Sequence, residues 1–157
     1  MNDLERVERI KAALGERAVE ITNPAPQRIF LTVPVQALVP ALEQLKTELG
    51  YRHLSTISGV DMGDVFEILY HIGYVGGNLN VRTRIPKAVP RLPSVCSVIP
   101  GAILYEREIQ DMFGIIVDGI PDGRPLLLSD DWPAGVHPLR KDWTPTRPEE
   151  KIPGGKS

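Results

Sequence analysis

The sequence has a single cysteine, no excess of basic residues and no long apolar run. One thiol, Cys96, cannot form an internal disulfide, and by itself it cannot hold an iron–sulfur cluster or a structural zinc ion. A formal net charge of −2 over 157 residues argues against a surface that follows nucleic-acid phosphates. These absences favour a protein of a reducing compartment that binds no nucleic acid.

The apolar segments near Phe66 and Ile115 are short and interrupted, whereas a membrane-spanning helix needs roughly 20 apolar residues. The first residues, "MNDLERVERIKAAL", carry charges throughout an amphipathic pattern and so do not form a secretory signal. With 42% hydrophobic and 24% charged residues, the composition is that of an ordinary globular domain. We expect a soluble, cytosolic chain that reaches a membrane only through another protein.

The first third of the chain predicts a capped helix, two short strands and a second helix. Asn2 and Glu5 have the spacing of a capping box, and Gly15 ends the first helix. The turn residues "NPAPQ" separate the two strands. The strands are Ala18–Thr22 and Arg28–Val33, and the second helix ends near Leu49.

The middle of the chain predicts a β-hairpin between "VFEILYHIGY" and "NLNVRTRI". If Gly76-Gly77 is a two-residue loop, Tyr74 lies opposite Leu79, and the pairs on that face are mostly apolar. A slip of one residue would move these side chains to the other face, so the pattern specifies the register. We therefore predict a sheet that is largely antiparallel.

The remainder of the chain is rich in proline, with eleven of the fifteen prolines after Ile85. Only a short helical piece, near Ser94–Val98, fits before the next helix, and the prolines after Gly114 exclude long helices and central strands. Trp132 and Trp143 argue against a disordered linker. We predict an extended arm that lies on its own domain or on a partner.

These patterns together predict an α+β fold, a two-layer arrangement with a mostly antiparallel sheet, helices on one face and a long proline-rich carboxyl-terminal arm. The predicted organisation is a domain over residues 1–119, an extended arm packed on a partner over 120–147, and a flexible tail over 148–157.

The stretch "YEREIQDMF" predicts an amphipathic helix with an unusual distribution of charge. Tyr105, Ile109, Met112 and Phe113 form the stripe of a core-facing helix. Glu106 and Glu108 border this stripe on opposite sides. The opposite face carries Arg107, one turn from Asp111, together with Ile103 and Gln110.

Three interpretations of this helix compete. As a catalytic acid–base pair, Glu106 and Glu108 would diverge by about 160° around the helix and could not face one substrate. A core helix with solvated charges does not explain why both acids border the core, nor why the apolar Ile103 lies among the outer charges. A helix held between its own sheet and a second protein explains both observations, because carboxylates at the core edge need donors nearby.

The segment "HPLRKDW", His137 to Trp143, has the composition of an interface. Its proline favours an extended backbone, and Arg140 can bind a carboxylate through two hydrogen bonds. Arginine and tryptophan are common anchors of stable interfaces. The alternative is a metal site formed by Asp130, Asp131 and His137, but no ligand pair has a spacing typical of such sites.

These segments also resemble the 30 kDa subunit family of respiratory complex I, a family shared with membrane-bound energy-converting nickel–iron hydrogenases and formate hydrogenlyase-type complexes. The resemblance extends from about Leu54 to Trp143. It is carried by "ERE" with "DMFG", "PDGR", "DDWP" and "HPLRKDW". One departure is Ile120, where the family usually has a basic residue.

The resemblance implies a non-catalytic subunit of the hydrophilic arm of an ion-pumping redox complex, peripheral on the cytoplasmic face of the cell membrane. It implies no cofactor in this chain, with iron–sulfur clusters and flavin or nickel–iron in partner subunits. The implied partners are the large subunit (49 kDa-like or hydrogenase large) and neighbouring iron–sulfur subunits.

By the same resemblance, the charged residues of the helix fix it between sheet and partner, and the arm lies across the large subunit. The implied partner interface consists of Ile103, Glu106, Arg107, Glu108, Asp111, Trp132, His137, Arg140, Lys141, Asp142 and Trp143. Two other classes stay open: a stand-alone hydrolase or metal-dependent enzyme that uses Glu106, Asp130 and His137, and a free-standing binding module.

Overall fold

The computed structural model describes residues 1–145, which contain three α-helices and seven β-strands. The helices are α1 (Asp3–Leu14), α2 (Leu38–Glu48) and α3 (Ile103–Phe113). The strands are β1 (Glu20–Ala25), β2 (Arg28–Thr32), β3 (His53–Asp61), β4 (Val65–Tyr74), β5 (Gly77–Pro86), β6 (Arg91–Pro93) and β7 (Ile116–Asp118).

The main sheet has five strands in the order β1-β2-β5-β4-β3. Three of its four strand pairs are antiparallel, and β2 pairs with β5 in parallel. The short strands β6 and β7 form a separate parallel pair. The predicted fold class, an α+β fold with a mostly antiparallel sheet, is therefore confirmed.

The core lies on one face of this sheet. Alternate residues of β4, from Phe66 to Ile72, are completely buried, as are Ile10 of α1 and Leu42 of α2, which belong to the same apolar cluster. The capping box at the start of α1 is present, since Asn2 and Glu5 each accept the other's backbone N–H. The opposite sheet face is polar: His71 contacts Asn80 and Ser58 through its two ring nitrogens, at 2.6 and 3.0 Å.

The predicted register of the β4–β5 hairpin is wrong by two residues. Tyr74 pairs with Gly77 and Ile72 with Leu79, so the loop is Val75-Gly76 and not Gly76-Gly77. Within the loop only Gly76 has a positive φ (87°), which matches the second central residue of a type II turn. A Cβ on Gly77 would lie 2.4 Å from the hydroxyl of Tyr74, so this glycine is needed beside the turn. A shift of two preserves the faces, which is why hydrophobic pattern alone does not detect it.

Two smaller predictions also differ from the structure. The first strand continues into the predicted turn as far as Ala25, with a register shift after Thr22. The helical piece predicted near Ser94–Val98 is a single turn, in which the N–H groups of Val98 and Ile99 donate to the carbonyl of Val95. The prolines that border this segment leave no room for a longer helix.

The arm from residue 120 to residue 145 contains neither helix nor strand, as predicted from its prolines. The end of the arm at 147 and the predicted tail at 148–157 lie outside the described residues. Across residues 1–145, no helix has the length and apolar character required to cross a membrane.

Candidate partner-binding surface

Helix α3 packs on the edge of the sheet through the predicted apolar stripe. Ile109 and Phe113 are buried, while Tyr105 and Met112 are partly buried. The tyrosine hydroxyl donates to the carbonyl of Ser55 in β3, at 2.9 Å. Gly59 permits the close approach, because a Cβ there would lie 2.5 Å from the Phe113 ring.

Glu106 is completely buried in the structure, which corrects its placement at a partner interface. Its carboxylate accepts hydrogen bonds from the Ser94 hydroxyl (2.7 Å), the Val95 N–H (2.6 Å) and the Cys96 thiol (3.2 Å). Burial, with a smaller contribution from Glu106, raises the pKa of the Cys96 thiol, so the sulfur keeps the proton that it donates. The expected donors beside this acid are present, and they come from the chain itself.

Asp111 is also buried, although the helical pattern placed it on the outer face. One of its carboxylate oxygens accepts three backbone N–H groups of the arm, from Leu126 (2.8 Å), Leu127 (2.7 Å) and Leu128 (3.2 Å). Successive N–H groups that converge on one oxygen form an anion-binding nest. The layer that covers the outer face of α3 is thus the chain's own arm, a layer that a helical wheel does not include.

Arg107 holds the same part of the arm. Its guanidinium donates to the carbonyls of Arg124 (2.8 Å) and Pro125 (2.9 Å) and lies 3.6 Å from the Asp122 carboxylate. Arg124, and to a smaller extent Arg107, hold the pKa of Asp122 well below its usual range. Arg107 therefore fixes α3 to the arm, and its exposed fraction is only 14%.

The segment "HPLRKDW" caps the carboxyl end of α3, where helix carbonyls lack partners. His137 Nδ1 contacts the carbonyl of Asp111 at 2.9 Å, and the N–H of Leu139 donates to the carbonyl of Met112 at 3.0 Å. Arg140 Nε donates to the carbonyl of Phe113 at 2.6 Å. The arginine cation also complements the negative end of the helix dipole. Arg140 is thus engaged with a helix end of its own chain, whereas the sequence pattern suggested a carboxylate partner.

Asp61, at the end of β3, anchors the arm a second time. Its carboxylate pairs with Lys87 at 2.7 Å and accepts the backbone N–H of Lys141 at 2.9 Å. Burial raises the pKa of this carboxyl, but the hydrogen bonds from Lys87, Lys141 and Gly63 outweigh burial and lower it to about 2. Asp142 adds a second carboxylate 3.3 Å from Lys87. The sequence patterns did not single out Asp61 or Lys87.

The two tryptophans of the arm contact each other. The rings of Trp132 and Trp143 have centroids 6.0 Å apart, and the Trp132 indole N–H donates to the carbonyl of Val136 at 2.9 Å. Both rings are partly exposed. The apolar Ile103 is likewise only partly covered and packs beside the core cluster. Ile120, which departs from the family pattern, packs against the same cluster.

The solvent-exposed side chains of α3 and of the arm form the candidate surface for a partner. Glu108 and Lys141 are exposed, and so are several leucines that the sequence patterns did not single out. Leu104 is 52% exposed, Leu127 57% and Leu139 54%. We call these leucines, with Leu126, the arm-face leucines. Their backbones are held by Asp111 or lie in α3 or its cap, so the apolar side chains are presented on an ordered support.

The structure separates the groups proposed for catalysis or metal binding. Glu106 is buried while Glu108 is exposed, so they do not form one acid–base site. Among residues 1–145, no set of three or more histidine, cysteine or acidic side chains is placed to hold a metal ion. Asp130, Asp131 and His137 are therefore not gathered into a metal site.

An ordered arm that leaves large apolar side chains in solvent is typical of a subunit that joins a larger assembly. Residues 31–149 match the family described as respiratory-chain NADH dehydrogenase, 30 Kd subunit. The chain belongs to this family.

Relatives from two kinds of redox enzyme are similar to the chain. The C subunit of F(420)H(2) dehydrogenase from Methanosarcina mazei is 36% identical, with 83% of this chain and 82% of that protein covered. Hydrogenase-4 component G of Escherichia coli is 32% identical, with 87% of this chain and 26% of that protein covered. The chain thus spans about a quarter of the length of some of the curated relatives that it matches. The predicted resemblance to complex I and hydrogenase subunits is confirmed.

A solved structure of the membrane-bound sulfane sulfur reductase, described as an archaeal respiratory membrane complex, contains a similar chain. The TM-score is 0.80 at 28% sequence identity, with 90% of this chain and 85% of that chain covered. These relatives are subunits or components of multi-subunit redox enzymes, and they do not support the alternative of a stand-alone hydrolase.

Proposed function

We propose that this chain is a non-catalytic subunit of a membrane-bound, ion-pumping redox complex, and that it docks on the large catalytic subunit through α3 and the arm. The flavin, nickel–iron and iron–sulfur groups then belong to partner subunits. The chain lies on the cytoplasmic face of the membrane, and its membrane contact is through the complex.

The observation that carries the proposal is the set of arm-face leucines. The arm has neither helix nor strand, yet it is fixed by Asp111, Arg107 and Asp61, and it leaves large apolar side chains in solvent. Burying the exposed half of one such side chain contributes about 1 kcal/mol, so an ordered group of them favours association. The buried carboxylates order this surface and do not themselves touch the partner.

The test is a pair of matched substitutions at exposed apolar positions. Leu127 is 57% exposed and only its backbone binds Asp111, so Leu127→Asp leaves the arm in place. Val75 is 95% exposed in the loop at the far end of β4 from Asp61. Leu127→Asp should lose the large subunit during purification of the complex from membranes, while its thermal unfolding is unchanged.

The control, Val75→Asp, should retain the complex. Equal retention of the large subunit by both variants would contradict docking through the arm. Turnover of a substrate by the purified chain without partners would contradict the non-catalytic role. Both measurements use the complete chain, because the arm contributes to the fold and cannot be removed cleanly.

A further inference from the structure

Strand β3 is an edge of the sheet, and part of its backbone points away from β4. The N–H of Met62 donates to the carbonyl of Val65 at 2.9 Å in the turn between the strands. Hydrogen-bonded and non-hydrogen-bonded pairs alternate from there, because the ladder is antiparallel. The N–H and C=O groups of Ile57 and Gly59 therefore face outward, whereas those of Ser58 bond to β4.

Helix α3 runs beside this edge without closing it. An open cleft of about 230 Å³ lies between the two elements, beside the direct contact of Phe113 with Gly59. Its walls are residues 56–59 of β3, Glu108, Ile109, Met112 and Phe113 of α3, and Leu139 of the arm. At the near end the Tyr105 hydroxyl donates to the carbonyl of Ser55, so one edge acceptor is already used. Within residues 1–145, no hydrogen bond closes the outward groups of Ile57 and Gly59.

An edge strand with open backbone groups is a template for one more strand. The other edge of the sheet, β1, is protected by Pro24 and by the register shift between Thr22 and Ala25. Strand β3 also has a register shift, between Leu54 and Thr56, but it carries no proline and is regular from Thr56 to Asp61, so this part of the edge lacks such protection. The two edges therefore differ in their capacity to pair.

The chemistry around the cleft defines what would fit. The α3 wall is apolar at Ile109 and Met112 and carries one carboxylate, that of the exposed Glu108. Glu108 forms no ion pair within the part of the chain that the structure describes. An added strand would direct alternate side chains toward this wall. The complementary segment has apolar residues at alternate positions and a lysine or arginine at the level of Glu108.

We propose that an extended segment of a partner subunit adds to the β3 edge as a sixth strand, with apolar side chains on Ile109 and Met112 and a cation at Glu108. The inference rests on the proposed function and specifies one of the contacts by which the chain joins its complex. It differs from docking on the arm-face leucines, of which only Leu139 lines the cleft, since here the recognition is made by backbone groups.

Residue-level hydrogen exchange tests the added strand directly. In the isolated full chain the outward amides of Ile57 and Gly59 should exchange quickly, and in the purified complex they should slow by a factor of about 100 or more. The amide of Ser58, which bonds to β4 in both states, is the internal control and should be protected throughout. Equal exchange of Ile57 and Gly59 in the two states would overturn the proposal.

Charge reversal tests the expected cation. Glu108→Arg should weaken association with the partner about tenfold, whereas Glu43→Arg, at an exposed site on α2, should leave it unchanged. Circular dichroism of both variants verifies that they fold. Unchanged association of Glu108→Arg would refute the cation at this position.

The outcomes also separate this inference from the proposed function. If the chain joins the complex but Ile57 and Gly59 stay unprotected, only the added strand is wrong. If the chain joins no complex, the proposed function itself fails. The amides of Ile57 and Gly59 could instead become protected in the isolated chain as its concentration rises. That result would mean that a second copy of this chain pairs with the β3 edge, and it would overturn the proposal of a strand from a partner subunit.

Discussion

The carboxylate of Asp61 accepts a hydrogen bond from the backbone N–H of Lys141, at 2.9 Å and 80 residues further along the chain. The same carboxylate pairs with Lys87. A single buried acid therefore joins the end of β3, the residue that follows β5 and the arm. Single substitutions can test each such contact between residues that are far apart in sequence.

The first prediction concerns Asp61 and pH. Its folded-state pKa of about 2 lies below the ordinary value of 3.8, so the ionised carboxylate stabilises the fold above about pH 4. That contribution, about 2 kcal/mol of unfolding free energy, should be lost as the pH falls from about 4 to 2. Asp61→Asn should be less stable than the native chain at pH 7, and the difference should disappear near pH 2. Urea unfolding across this range measures the effect.

The matched control is Asp130→Asn, at an exposed position of the arm. Its unfolding free energy at pH 7 should match that of the native chain, because an exposed surface substitution changes stability little. A difference between the Asp61 variant and the native chain that persists unchanged at pH 2 would show that its cause is not the carboxylate charge.

The second prediction concerns the nest around Asp111. Asp111→Ala removes the acceptor of three backbone N–H groups, so residues 126–128 should exchange their amide hydrogens faster and the chain should lose about 2 kcal/mol of unfolding free energy. Glu108→Ala, on the same helix but exposed, should change stability by less than about 0.5 kcal/mol. Unaltered exchange at 126–128 in the Asp111 variant would mean that the nest does not order the arm.

The third prediction compares two glycines with positive φ. A Cβ on Gly114 (φ 67°) would lie 2.3 Å from Nε2 of His137, whereas a Cβ on Gly119 (φ 78°) would meet nothing within 4 Å. Both changes to alanine cost about 1 kcal/mol for the backbone conformation. Only Gly114→Ala should also displace the arm, since His137 and Arg140 must give up their helix carbonyls to make room. Tryptophan fluorescence should shift in Gly114→Ala alone, and identical spectra for both variants would contradict this.

The fourth prediction concerns the contact between β3 and α3. Gly59→Ala would place a methyl group 2.5 Å from the Phe113 ring, so helix and strand must separate, at a typical overpacking cost of about 1–3 kcal/mol. Gly101→Ala, where no atom lies within 4 Å of the new Cβ, should be neutral or slightly stabilising. The midpoints of thermal unfolding of the two variants measure this difference in stability. A Gly59→Ala chain as stable as Gly101→Ala would show that the packing adapts.

Local patterns were sufficient to predict the fold class and most elements, but not the short parallel pair of β6 and β7. The capping residues Asn2 and Glu5, the alternation along β4 and the stripe of α3 are all present as predicted, because each is set by neighbours in sequence. The hairpin register was missed because a shift of two residues leaves every side chain on the same face. The turn conformation at Gly76 and the contact of Gly77 with Tyr74 determine it instead.

The sequence indicated some members of the candidate site but not their contacts. The pattern correctly indicated that Glu106 needs donors, yet it could not show that these come from residues 94–96. It predicted the same need for Glu108, which is exposed, and gave no sign that the arm supplies donors to Asp111. Non-local contacts of this kind leave no periodic signal in the sequence. Asp61 and the arm-face leucines were missed for the same reason, since an aspartate at a strand end and a leucine run look ordinary until the arm is placed.

The cap on α3 has a consequence for the order of folding during synthesis. The last carbonyls of this helix, at Asp111, Met112 and Phe113, receive their donors from His137, Leu139 and Arg140. A ribosome must therefore add almost thirty further residues before the helix that it has already made can be completed. Until then the nascent domain holds a sheet whose edge helix is unfinished, and a chain that ends within this window lacks the donors that complete α3.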